Sequence, residues 1–192
     1  SEEQRQKSKD GFVIEQVDGI DGWSGIGMMA IANTRVVRRS VALMEQNQKS
    51  YGTNFTFGEH GLFSTKRMAR LASYGSIIAF LVLATPLKRL VRPLLPKPGE
   101  GPSQETQDKG WFRATFVAYA EDNERKICSM YGSGDPGYKS TAKLVCESAL
   151  SLARSNELPG GSEYGGVLTP AVGLGDVLIE RLSNKEIEFK VL

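Results

Sequence analysis

No charged residue occurs between positions 71 and 87, in a chain that is 24% Asp, Glu, Lys and Arg overall. The run opens Leu71, Ala72, Ser73, Tyr74, Gly75, Ser76. It continues through Ile77, Ile78, Ala79, Phe80, Leu81, Val82, Leu83 and Ala84 to Thr85, Pro86 and Leu87. Lys66, Arg67 and Arg70 precede it, and Lys88, Arg89 and Arg92 follow it. As a helix it covers about 26 Å at 1.5 Å per residue, slightly less than a bilayer hydrocarbon core of about 30 Å. Ser73, Gly75 and Ser76 dilute its hydrophobicity, which argues against a true span. Two placements remain. One is a helix lying on, or dipping into, an anionic membrane surface, with Ile77, Ile78, Phe80, Leu81, Val82 and Leu83 toward lipid. The other is a buried helix covering a protein core.

The rest of the composition excludes whole classes. The 192 residues suffice for one domain with a real core, or one domain with an appendage. Lys and Arg number 24 against 22 Asp and Glu, a net charge of +2. A strongly basic nucleic-acid binder and an acidic disordered tail are both excluded, so no nucleic acid is expected as a partner. The two cysteines, Cys128 and Cys146, and the single histidine, His60, exclude a disulfide scaffold and any metal site built from several His or Cys ligands. A triad enzyme would have to use His60, which reads better as a surface or loop residue. The 21 glycines suit a loop-rich mixed fold. The first ten residues are polar, without an apolar region of a signal peptide, so an intracellular, non-secreted protein is expected. The chain starts with Ser1 rather than Met and reads as a position inside a longer chain.

Along the chain, residues 12–18 read as a strand, Asp21 and Gly22 as a turn, and residues 23–27 as glycine-rich close packing. Asn33 or Thr34 is expected to cap a helix over 35–46, with Val37, Val41 and Met44 on one face and Arg35, Arg38 and Arg39 toward the other. Residues 51–59 alternate around Phe55 and Phe57 as a short strand or extended loop. Residues 93–110 form a Pro-rich linker. Residues 111–120 and 125–131 predict an antiparallel hairpin about a turn at 121–124. Ser140 or Thr141 is expected to cap a helix to about residue 155, with Leu144, Val145, Ser148, Ala149 and Leu152 as its apolar stripe. A Gly-rich loop over 158–166, a helix over 175–184 and a strand over 187–192 complete a β-β-α-α-β half. The expected class is α+β, an antiparallel or mixed sheet with packed helices plus the apolar membrane-type helix. Its parts are 1–64, the apolar helix at 65–92, the linker at 93–110 and the C-terminal part at 111–192.

Gly132, Gly134 and Gly137 match the spacing G-x-G-x-x-G. The dinucleotide use of that pattern needs a parallel β-α-β unit. Here the preceding strand is the return arm of a hairpin, Pro136 stiffens the loop, and no second strand ending in an acid follows. A phosphate-loop reading fails because Tyr138 separates Gly137 from Lys139. The loop carries instead the candidate substrate-binding residues Gly137, Tyr138, Lys139 and Thr141. Arg38, in its cluster of three arginines, could hold an anionic group. The competing reading is a tight connection with Tyr138 packed on the core and a solvated arginine face. Cys128 and Cys146 occupy core-type positions and read as buried thiols. Asn54 and Thr56 fit a glycosylation sequon, with nothing pointing to secretion.

The run Gly134, Asp135, Pro136, Gly137, Tyr138 with Thr141 and Ala142, then Gly165, Gly166, Val167, Leu168, Thr169 and Pro170, then Leu178 to Leu182 and Ile187 to Val191, resembles the C-terminal end of the saccharopine dehydrogenase-like oxidoreductases. Residues 33–40 and 51–59 look like the same family's middle region, and the ordered set covers nearly the whole chain. The resemblance implies a two-part enzyme, in which an N-terminal Rossmann domain binds NAD or NADP and an α+β domain supplies the substrate side. Its members include trans-acting enoyl reductases of lipid biosynthesis and an animal protein associated with lipid droplets and mitochondria. The Rossmann domain is absent from this chain, so no cofactor-binding residue is expected within it, and alone it is expected to be inactive. The resemblance thus implies a substrate-binding, membrane-associating C-terminal region acting on a lipid-like substrate. Its implied partners are a membrane or lipid droplet surface, a Rossmann domain or subunit in trans, or further copies of itself. A mitochondrial or lipid-droplet location follows in the same way. The competing class is a non-catalytic accessory protein of a membrane or complex.

Overall fold

The computed structural model describes residues 13–47, 49–52, 54–97, 99–120, 124–161 and 165–192. Two compact units divide the chain, Ser1–Pro98 and Gly99–Leu192.

In the first unit, β1 (Trp23–Ile26) pairs antiparallel with β2 (His60–Phe63), Trp23 opposite Phe63 and Ile26 opposite His60. The strand expected at 12–18 does not form among its described residues, 13–18, where Gln16 makes only an isolated bridge to Trp23. The reason is local. The buried Ser24 hydroxyl accepts from Glu15 N at 3.1 Å and donates to Val13 O, so a side chain takes over bonds a strand ladder would make. The strand instead occupies the segment expected to pack only through glycine.

Helix α1 (Ala30–Gln46) begins five residues before the expected start. Asn33 and Thr34 lie inside it rather than capping it, because each finds another partner. The Thr34 hydroxyl bonds back to Ala30 O, and the Asn33 amide donates to Glu59 Oε2 at 2.6 Å. The expected face is correct: Val37, Val41 and Met44 are half-buried, beside buried Thr34, Ser40 and Leu43. Residues 51–52 and 54–59 are extended loop, the second of the two alternatives.

Helix α2 (Lys66–Ala84) takes in the preceding basic residues, and the Thr65 hydroxyl caps it by accepting from Met68 N at 3.2 Å. Thr85 is extended, as expected of a residue before proline, and ends the helix. Then come α3 (Lys88–Val91) and a 3₁₀ turn, Arg92–Leu94.

In the second unit the end of the expected linker is not linker. It forms α4 (Gln104–Lys109), capped by Ser103, whose hydroxyl accepts from Thr106 N at 3.2 Å. The hairpin is present: β3 (Trp111–Tyr119) pairs with β4 (Arg125–Ser133), Trp111 opposite Ser133 and Tyr119 opposite Arg125. Residues 121–123 of the expected turn lie outside the described residues. β5 (Ile187–Val191) adds antiparallel to β4, giving the order β3-β4-β5. The described residues therefore form an α+β fold with two small sheets, both antiparallel. α5 (Lys139–Leu152), a 3₁₀ turn (Ser155–Glu157), α6 (Pro170–Gly173) and α7 (Gly175–Ser183) lie between β4 and β5. Val172, Leu174, Leu182 and Ile187 are the buried apolar core.

The face of α5 departs from the expected stripe. Ser140, Glu147 and Ser151 are buried, whereas Val145 and Leu152 are 62% and 60% exposed. Polar groups can line this contact because they are satisfied. Ser151 bonds back to Glu147 O at 2.7 Å, and Glu147 is paired with Arg181 of α7. The same rotation puts Cys146, expected to be buried, in solvent, while Cys128 is half-buried on β4.

Candidate functional site

The loop from β4 to α5 and the first turn of α5 hold four of the five candidate substrate-binding residues. Asp135 organises the loop. Its carboxylate accepts from Gly137 N and Tyr138 N, both at 3.0 Å, and from Lys139 N at 3.1 Å. A carboxylate just before a helix satisfies its free N–H groups and complements its dipole. The backbone of Asp135 is tied as well: its N–H donates to Gln107 O at 2.9 Å, and its carbonyl accepts from Ser140 N at 2.9 Å. The Ser140 hydroxyl, fully buried, reaches Gly134 O at 2.9 Å and Ser133 O at 3.1 Å. In the sequence Asp135 stands out only as an acid followed by proline and glycine, three residues ahead of the N-cap residue Tyr138.

Two glycines make this packing feasible. Gly134 adopts φ +93°, a left-handed conformation that favours glycine. At Gly110 a β-carbon would lie 2.5 Å from both Cα and N of Asp135, so the start of β3 and the loop pass backbone to backbone. The Gly134 N–H donates to Gly110 O across this contact at 2.7 Å.

Lys139 reaches out of the loop to Asp108 of α4 at 2.7 Å. The lysine's hydrogen bond holds Asp108 below the usual carboxylate range, with Gln104 adding to the effect, and Asp108 in turn raises Lys139. One helical turn further on, Lys143 pairs with Glu186, which also accepts from Ser133 Oγ at 3.1 Å. These bonds, Lys143 first, keep the Glu186 carboxyl below its ordinary value. Glu186 has φ 63°, alone among the described non-glycine residues in a positive-φ conformation.

Tyr138 is 54% exposed rather than packed on the core, and the segment at Gly101 passes beside its ring. The exposed Thr141 hydroxyl donates to Pro136 O at 2.6 Å. Arg38 is exposed on α1, in the first unit. His60 is exposed at the start of β2.

The amides of Gly137, Tyr138 and Lys139, of the kind that hold a phosphate at a helix start, are given to the Asp135 carboxylate. Gly132 serves a different purpose. It is buried within β4, and a β-carbon there would meet Phe112 Cε1 at 2.3 Å, so it makes room for that ring.

The apolar candidates lie on α2. Ile78, Phe80, Leu81 and Leu83 are 61%, 70%, 55% and 46% exposed, and Ile77 and Val82 are half-buried. Only Ala69 and Ser73 of this helix are buried, so it is not a core helix in this fold. Among the described residues it is one helix long and apolar enough to cross a membrane, by length and composition.

The chain is similar to mycobacterial proteins. A Mycobacterium bovis protein named trans-acting enoyl reductase is 35% identical over 169 residues, covering 83% of this chain and 39% of the relative. One of the same name from Mycobacterium ulcerans is 34% identical over 168 residues, with the same coverage. A Mycobacterium tuberculosis protein of the trans-acting enoyl reductase name is 35% identical over 169 residues, again 83% of this chain and 39% of its own. No protein-family model matches the chain. No solved structure matches it. The chain spans about two fifths, 39%, of the length of the curated relatives it matches.

Proposed function

We propose that this chain is the substrate-side, membrane-associating region of an NAD(P)-dependent oxidoreductase of the enoyl reductase type, within the saccharopine dehydrogenase-like group, acting on a lipid-like substrate. The observation that carries the reading is the similarity to trans-acting enoyl reductases across 83% of the chain. In this reading NAD or NADP is bound by a domain outside this sequence; the amides that follow Gly134 in the Gly132, Gly134 and Gly137 pattern are taken by Asp135. The relatives' description as trans-acting supports work alongside a partner module supplied in trans. The exposed Tyr138 and Thr141 present a ring and a hydroxyl at the mouth of a loop that Asp135 holds rigid, and this is the surface we assign to substrate. The apolar, basic-flanked α2 region is the part we assign to the membrane, at a mitochondrial or lipid-droplet surface.

NADPH oxidation by the complete gene product, offered a long-chain 2-enoyl thioester, tests the enzymatic part. Turnover lost in Tyr138→Phe at an unchanged melting temperature supports the site. Full turnover in both Tyr138→Phe and Lys139→Ala returns the loop to a structural role. Flotation of the 192-residue chain on anionic liposomes tests the membrane part. Ile78→Asp with Leu81→Asp, both at exposed positions, is expected to abolish flotation without unfolding the protein.

A further inference from the structure

From position 60 to position 99 the chain has seven Lys and Arg, out of 24, and none of its 22 Asp and Glu. The cations bracket the apolar run rather than interrupt it, with Lys66, Arg67 and Arg70 on one side and Lys88, Arg89, Arg92 and Lys97 on the other. A surface that is apolar in the middle and cationic at both ends complements an anionic bilayer.

The structure limits how this surface can meet a membrane. α2 has 19 residues, about 28 Å of helix, which taken alone almost matches the hydrocarbon core of about 30 Å. Its first half is committed elsewhere. Ala69 and Ser73 are completely buried, and the Ser73 hydroxyl accepts from Ile26 N of β1 at 2.9 Å. Gly25 leaves the room: a β-carbon there would lie 2.8 Å from Ser73 Oγ. Withdrawing these residues into lipid would leave the Ile26 N–H without its partner and pull the helix off its sheet. The helix left over, residues 77–84, is about 12 Å long, less than half of a bilayer core. Within it apolar side chains are exposed on several sides, and Leu87, Leu90 and Leu94 beyond the proline break are 53%, 75% and 84% exposed.

We propose that residues 77–87 form a re-entrant wedge that dips into one leaflet of an anionic membrane and leaves both cationic flanks on the side from which the protein approached. This rests on the membrane part of the function proposed above and goes beyond it by excluding a span. Phe80, Leu83 and Leu87 sit among the acyl chains, while the arginines and lysines lie at the level of the phosphates, with Leu90 and Leu94 at the interface beside them.

The test uses the full chain with Cys128→Ser and Cys146→Ser, carrying Arg67→Cys or Arg89→Cys, mixed with preformed liposomes of phosphatidylcholine and phosphatidylserine. A membrane-impermeant maleimide is added outside, before or after detergent. We expect both positions to label fully without detergent. We also expect at least tenfold less flotation on vesicles of phosphatidylcholine alone. Arg70→Cys and Arg92→Cys replace the first pair if either variant misfolds. Flotation with one flank protected until detergent is added overturns the wedge and leaves membrane association standing. Equal flotation on neutral vesicles overturns the anionic partner. No flotation on either vesicle overturns both the wedge and the membrane part of the proposed function.

Discussion

Glu147 of α5 accepts a hydrogen bond from Arg181 of α7 at 2.7 Å, with the two side chains only 10% and 21% exposed. The pair joins α5 to α7, and among the described residues the buried Nε of Arg181 has no hydrogen-bond partner. Removing one charge strands the other. Glu147→Gln is therefore expected to cost about 2 kcal/mol, measured as a loss of stability in urea. Glu147→Leu combined with Arg181→Met is expected to recover most of that loss. A double variant as unstable as the summed singles would show that the pair contributes nothing as a pair.

Two nearby glycines should respond differently to the same change. Gly110→Ala places a methyl group 2.5 Å from the Asp135 backbone, which cannot rotate away, so a loss of about 2 kcal/mol is expected. Gly101→Ala meets the Tyr138 ring at an ordinary 3.5 Å and is expected to stay within about 0.5 kcal/mol of the parent. Parallel denaturant titrations decide this, and equal losses would mean that the backbone crossing is not tight.

Asp135→Ala removes the carboxylate that accepts from the Gly137, Tyr138 and Lys139 amides ahead of α5 and is expected to cost about 1 kcal/mol. It also frees three amides beside Lys139. The parent chain is expected to show no saturable micromolar binding of NADH or NADPH by calorimetry, since those amides are occupied. A clean binding isotherm for the parent would refute the assignment of the cofactor to a domain outside this sequence.

The tie between α4 and α5 should depend on pH at both ends. Asp108 is lowered in the folded protein, so its contribution is complete above the ordinary aspartate range and lost as pH falls through the folded value. Lys139 is raised, so its contribution is complete below the ordinary lysine range and lost as pH rises through the folded value. The protection factor of the Gly110 amide, whose N–H donates to Thr106 O at 3.0 Å, should therefore fall in acid once the intrinsic pH dependence of exchange is divided out. In Asp108→Asn the acid-dependent loss of protection due to this pair should vanish.

Some elements were legible in the sequence because a single local rule governs them. The hairpin expected at 111–120 and 125–131, the first arm from its alternation, is present as Trp111–Tyr119 and Arg125–Ser133, and the last helix and strand lie where expected, at Gly175–Ser183 and Ile187–Val191. The misses share one cause, which is that side-chain hydroxyls and carboxylates bond to backbone in ways no periodicity records. Ser24 displaces a strand, Thr34 turns inward instead of capping, and Asp135 takes the amides left for a ligand. The face of α5 was misjudged because apolarity marked Val145 and Leu152, while the buried contact is made by Ser140, Glu147 and Ser151. Lys139, Tyr138 and Thr141 could be singled out from the loop's composition, but their partners could not, since Asp108 lies 31 positions away from Lys139.

Ser73 gives the apolar helix a depth gauge. A hydrocarbon-facing segment has no internal mark to say how far it should sink, and thickness alone would let it slide. Here one hydroxyl, held under Ile26 at 2.9 Å, ties the helix to its sheet at a set position in the sequence, ahead of the exposed Ile78, Phe80, Leu81 and Leu83. Replacing Ser73 by alanine would remove that tie while making the helix more apolar. A change that every hydropathy scale scores as favouring the membrane would then loosen the fold that presents the helix to it.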